Sequence, residues 1–146
     1  MRFVLPAIVV FALVPACGGG GDNRLSKEDF QQQANAICKR YDAKIAALGN
    51  PTSPSDIPDF VAKGIPLIQQ GLAELRALRP PAELQADYNR MLDETERAIP
   101  AARKLSDAAA KQDAAAVQEA LQEANAADQA SDRIATKLGL SDCAAA

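Results

Sequence analysis

Four stretches of the chain repeat apolar residues every three or four positions, with polar residues between them. This spacing is the period of an α-helix that buries one face, so each stretch predicts an amphipathic helix. The stretches cover residues 30–48, 57–75, 84–105 and 117–138. The apolar positions of the first are Phe30, Ala34, Ile37, Tyr41, Ile45 and Leu48.

The residues around these stretches predict where the helices begin and end. Ser26 precedes the first stretch and Asp113 the fourth, and both side chains can accept a hydrogen bond from an unpaired N–H group of a first helical turn. The prolines at 80 and 81 end the second helix and begin the third, because proline is tolerated in a first turn but not in a helix interior. Gly139 is predicted to close the fourth helix in the left-handed conformation.

Short connections between the four predicted helices favour an all-α fold, an up-down-up-down four-helix bundle. The folded domain is expected to span residues 26–143, followed by a short tail at residues 144–146. A chain of 146 residues leaves room for one such domain.

The amino end has a different pattern. Met1 and Arg2 are followed by twelve apolar residues, from Phe3 to Val14, which is the length of a secretory signal and too short to span a membrane. Four glycines, residues 18–21, then follow a single cysteine. A glycine run is a flexible coil, so it is expected to act as a tether.

The sequence Val14-Pro15-Ala16-Cys17 resembles the lipobox of bacterial lipoproteins, although Pro15 stands where that family more often has Ala or Ser. The resemblance implies a signal peptide at residues 1–16, cleavage before Cys17, and a diacylglyceryl group on its thiol. Residues 17–25 would be the lipidated cysteine and its tether, and the protein would be exported and anchored in the lipid bilayer at the outer face of the cell membrane. The alternative is an ordinary signal peptide cleaved near Ala16.

The other two cysteines, Cys38 and Cys143, are expected to form a disulfide, because exported proteins commonly pair their cysteines. Cys143 lies just beyond the fourth helix, so the pairing requires the tail after Gly139 to run back along the first helix, nearly extended. A redox-active pair is the alternative, but no Cys-X-X-Cys motif is present. The segments around both cysteines resemble small exported bacterial helical domains with one cysteine in the first helix and one after the last; this resemblance implies no activity.

The composition excludes several classes of function. The chain has no histidine, which excludes the usual haem ligation, histidine-containing zinc and di-iron sites, and a Ser-His-Asp triad. A net charge of −3 with few aromatic residues argues against nucleic-acid binding. We therefore expect no metal, no cofactor and no enzymatic activity.

Two prolines inside the predicted helices mark one candidate functional site. Pro66 and Pro100 interrupt the second and third helices at a similar height, so with Thr95 and Tyr88 they could form the mouth of a small pocket. The alternative is that the two prolines only curve the bundle, with Thr95 bonded to a local carbonyl.

A group of acidic residues on the third and fourth helices is expected to form interhelical ion pairs on solvated faces rather than a hydrolytic pair. We expect Asp87 to lie near Lys137 and Arg97 near Asp128.

The leading functional prediction is a non-enzymatic binding or scaffolding lipoprotein with an envelope-protein or cell-wall partner. The alternatives are a carrier of a small apolar or amphipathic ligand, and an enzyme that uses carboxylates alone. The carboxylates available to such an enzyme are those of Asp93, Glu94, Asp128 and Asp132.

Overall fold

The predicted helices are present in a computed structural model that describes residues 23–144. These residues form four long helices and three single turns of 3-10 helix, and contain no strand. The predicted signal peptide, Cys17, the glycines and residues 145–146 lie outside the described residues. The long helices are α1 (Lys27–Ala46), α2 (Ile57–Ala77), α3 (Gln85–Ala110) and α4 (Ala114–Leu138), and the short turns are Pro54–Asp56, Ala82–Leu84 and Ser141–Cys143.

Both predicted N-caps are confirmed. The Ser26 hydroxyl accepts a hydrogen bond from the Asp29 N–H at 3.1 Å, and the Asp113 carboxylate accepts one from the Ala116 N–H at 3.0 Å. The predicted close of α4 is also confirmed, because Gly139 has φ 75°. The side chain that follows it, Leu140, is fully buried.

The prediction for Leu48 is wrong. α1 ends at Ala46, and the chain then turns through Gly49, whose φ is 77°. This turn removes Leu48 from the buried face of the helix, so its side chain is 36% exposed. The earlier apolar positions of α1 from Phe30 to Tyr41 are buried as expected.

The core contains side chains from all four helices and from the turn after α4. Phe30 of α1 packs edge-on against Tyr88 of α3, with ring centroids 4.8 Å apart. The Tyr88 side chain lies inside this core. It is 1% exposed and donates to the Leu75 carbonyl at 2.8 Å, because a buried phenol needs an internal acceptor.

α1 packs on α2 and on the C-terminal turn, and it makes few direct contacts with α4. The turn at residues 141–143 contacts both α1 and α4 and carries the Cys38–Cys143 disulfide. The expectation of a nearly extended tail is wrong. Gln31 donates to the Leu138 carbonyl at 2.7 Å, so α4 ends about 10 Å below Cys38 along α1. Residues 139–143, of which the last three form a 3-10 turn, cover that distance without an extended stretch.

Ion pairs join α3 to α4, and Lys137–Asp87 is confirmed at 2.7 Å. Arg97 forms an ion pair with Glu94 of its own helix at 3.0 Å, and it lies beside Ala127 and Ala130, which flank Asp128 on α4. Within residues 23–144, none of the helices combines the length and apolar character that crossing a membrane requires.

Candidate functional site

A cavity of about 130 Å³ lies beside the disulfide. All four long helices and the C-terminal turn contribute to its wall. Asp42 is an exposed residue of this wall, so the cavity reaches the surface beside it. Its lining residues are Ile37, Cys38, Tyr41, Asp42, Ile45, Ile68, Gly71, Leu72, Leu75, Met91, Thr95, Ser131 and Cys143.

One wall depends on a glycine. A Cβ atom at Gly71 of α2 would lie 3.1 Å from Cγ of Tyr41, so the tyrosine ring rests directly against the α2 backbone. The Tyr41 hydroxyl donates to Glu74 at 2.6 Å. This hydrogen bond is the main reason that the pKa of Tyr41 is raised, and it fixes the ring at the cavity wall.

Replacing Gly71 should therefore disturb the site. We expect Gly71→Ala to lower the free energy of unfolding by about 1–3 kcal/mol, because the Tyr41 ring would have to shift by a few tenths of an ångström while its hydroxyl is held by Glu74. Gly64 of the same helix is the matched control, because a Cβ there meets nothing within 4 Å. Gly64→Ala should be neutral or stabilise by up to about 1 kcal/mol. Denaturant unfolding of both variants checks this, and equal effects would contradict it.

A pair of hydroxyl groups lies on the opposite side of the cavity. Thr95 donates to the Met91 carbonyl at 3.1 Å, and its oxygen is 2.8 Å from the Ser131 hydroxyl. Ser131 is 6% exposed. Both hydroxyl groups donate their protons to acceptors within the protein. The pair therefore joins α3 to α4, and this side of the cavity has no unsatisfied hydrogen-bond donor.

Asp42 has a different environment. Among the described residues, its carboxylate forms no hydrogen bond or ion pair. Partial desolvation raises the pKa of Asp42, and the charge of Asp142 on the C-terminal turn raises it further. The carboxylate at the cavity rim therefore lacks a cationic partner.

The structure brings together only part of the predicted pocket. Thr95 lines the cavity, and the two predicted disulfide cysteines line it as well. Tyr88 is buried elsewhere in the core, and Pro66 and Pro100 are exposed residues within continuous helices.

Sequence reasoning missed the roles of Asp42, Gly71 and Ser131. The available signal was the position of Ser131, a polar residue on the apolar face of α4.

Among the acidic residues of α3 and α4 that the sequence singled out, Asp93 and Asp128 are exposed, whereas Glu94 and Asp132 are half-buried. Asp93 is 3.5 Å from Arg76, and Glu94 is paired with Arg97. The pKa of Asp128 is raised, first by partial desolvation and then by Asp132. The part of the chain that the structure describes has no cluster of three or more acidic or cysteine side chains able to hold a metal ion.

A second, wider groove of about 700 Å³ lies between the start of α2 and the turn from α3 to α4. No charged residue lines it. Leu25 bonds Arg79 beyond the other end of α2, so the start of the domain and this groove are separated by the length of that helix.

The chain was compared with protein families, curated proteins and solved structures. No family, curated protein or solved structure matches it, so its function has to be inferred from its own residues and geometry.

Proposed function

We propose that this protein is an exported lipoprotein, anchored through Cys17 to the outer face of the cell membrane, whose helical domain is a non-enzymatic binding or scaffolding module. The observation that carries this proposal is the Cys38–Cys143 disulfide. It uses two of the three cysteines and leaves Cys17 as the odd one, directly after the lipobox-like segment.

The disulfide supports export because such bonds persist in oxidising compartments outside the cytoplasm. A short tether is supported by hydrogen bonds that fix the first residues of the domain to the segment just beyond the end of α2. Leu25 donates to the Arg79 carbonyl at 2.8 Å, and Arg24 donates to the Pro80 carbonyl at 3.0 Å. The seven-residue step from Cys17 to Arg24 spans at most about 25 Å, which would keep the domain close to the bilayer.

The proposed partner is an envelope protein or a cell-wall component. The ion pairs of α3 and α4 argue against a hydrolytic pair among the acidic residues of these helices. Asp93 and Glu94 lie beside arginines, and Lys104 is paired with Glu123 at 2.7 Å across α3 and α4. The pairs of Asp93 and Lys104 are exposed on both sides, and such pairs contribute little to stability and keep the surface soluble.

Membrane attachment is tested by fractionating cells that produce the full chain. The proposal predicts that the protein stays with the membranes in alkaline carbonate and is released by detergent, because acyl chains hold it rather than ionic contacts. Release by carbonate would contradict an acyl anchor. The test is informative because no described helix can supply an alternative span.

We also propose that the helices follow the up-down-up-down order predicted from the sequence. Contacts at both ends support this order. At one end, Phe30 near the start of α1 meets Tyr88 near the start of α3, and Gln31 meets Leu138 at the end of α4. At the other end, the start of α2 and the turn from α3 to α4 line one groove.

The cavity favours a second candidate function, a carrier or binder of a small apolar or amphipathic ligand. Most of its lining side chains are apolar, and it reaches the surface beside Asp42. Mass spectrometry of the native protein, extracted gently from its own membrane, tests this candidate. A small molecule that accompanies the protein and leaves on activation supports it, and a bare protein argues against it.

A further inference from the structure

The volume of the cavity beside the disulfide limits what it can hold. At about 130 Å³ it is close to an engineered cavity of about 150 Å³ that binds benzene. A single six-membered ring or a short branched chain fits such a volume. A lipid acyl chain or a drug-sized molecule, which needs a pocket of about 300 Å³ or more, does not.

The interior of the cavity favours an apolar group. Ile37, Leu72 and Met91 contribute aliphatic surface, and the hydroxyl groups of Thr95 and Ser131 are already bonded to each other. A ligand that placed a charge here would lose its hydration without gaining a partner, which is costly. The charged part of a ligand therefore belongs at the rim.

The rim is anionic. Asp42 lines the cavity without a cationic partner among the described residues, and the carboxylate of Asp142 is close enough to affect its ionisation. Two of the cations on α1 have other contacts, and Lys39, one turn before Asp42, forms no ion pair with it. Arg40 pairs with Glu74, and the Lys44 ammonium lies over the Tyr41 ring, 4.2 Å from its centroid.

We propose that this cavity binds a compact organic ammonium ion, with its apolar body between the helices and its ammonium group on the carboxylate of Asp42. The inference rests on the second candidate function and names the chemistry of its ligand. An ammonium group would supply the positive charge that Asp42 lacks, and the apolar body would occupy space that water fills poorly. Benzylamine has this combination of one ring and one ammonium group, and benzyl alcohol is its neutral counterpart.

The test titrates the full chain with benzylamine and, separately, with benzyl alcohol, at neutral pH and with the disulfide intact. Amide chemical shifts report both the affinity and the location. We expect the shifts to centre on Cys38, Asp42 and Ser131, with benzylamine binding about fivefold more tightly than benzyl alcohol.

Two variants isolate the charge. Asp42→Asn should remove the preference for benzylamine while leaving the binding of benzyl alcohol unchanged. Asp107→Asn removes one negative charge from an exposed position of α3 that does not line the cavity, and it should keep the preference. Both substitutions are at exposed residues, so neither removes a buried contact of the core.

Two results would overturn the inference. They differ in whether the second candidate function fails as well. If both compounds bind equally to the unaltered chain, the cavity is a ligand site but Asp42 does not select a cation. If neither compound shifts the residues around the cavity, the second candidate function fails together with the inference.

Discussion

Cys17→Ser should move most of the protein from the membrane fraction to the soluble fraction and abolish its labelling by fatty acid. The thiol is the predicted point of attachment for the diacylglyceryl group, and a serine hydroxyl does not replace it. Two or more acyl chains hold a protein stably on a bilayer, whereas a chain without them has only weak surface contacts. We expect the membrane-bound share to fall by about tenfold or more.

Cys143→Ser is the matched control, because it also replaces a cysteine with serine but leaves the predicted anchor intact. This variant should remain in the membrane fraction and keep its fatty-acid label. If the Cys17→Ser variant also keeps the label, Cys17 is not the acylated residue. If neither protein is ever labelled, the lipobox interpretation fails and an ordinary signal peptide cleaved near Ala16 becomes the better explanation.

Loss of the disulfide should have the largest effect on stability. The Cys38–Cys143 bond joins residues 105 positions apart and so restricts most of the described chain in its unfolded state. In the chain-entropy treatment a loop of about this length contributes about 4–5 kcal/mol to the free energy of unfolding. Cys143→Ser should lower that free energy by up to this amount, while the helices remain because their buried faces are unchanged.

Denaturant unfolding of the oxidised protein, the reduced protein and the variants checks this expectation. Cys38→Ser, Cys143→Ser and the double variant should be equally unstable, because each removes the same bond. Ser141→Ala changes an exposed residue of the same turn and should have little effect. An unchanged midpoint after reduction would contradict the proposed contribution of the disulfide.

The helices could be predicted from the sequence because their signals are local. Ser26, Asp113 and Gly139 each mark a helix end through bonds to residues only a few positions away. The pairing of Asp87 with Lys137 could also be predicted, because counting residues outward from the turn between α3 and α4 gives the height of each residue along its helix. Leu48 was misplaced because its apolar character continued the periodic pattern beyond the point where the helix ends.

The cavity could not be predicted in the same way, because its shape depends on contacts between distant residues. Gln31 meets Leu138, 107 positions along the chain, and this contact sets how far the C-terminal turn must rise to reach Cys38. The approach of Tyr41 to Gly71 similarly depends on how α1 lies against α2. The sequence pattern shows which face of each helix is buried, but not the height at which two faces meet.

The central claim is that the mature protein begins at an acylated Cys17 and carries one disulfide. The most direct measurement is the intact mass of the protein extracted from its own membrane. We predict the mass of the chain without residues 1–16, increased by a diacylglyceryl group and reduced by the two hydrogens lost at Cys38 and Cys143. A chain of the unmodified mass that retains a free thiol at Cys17 would contradict the account.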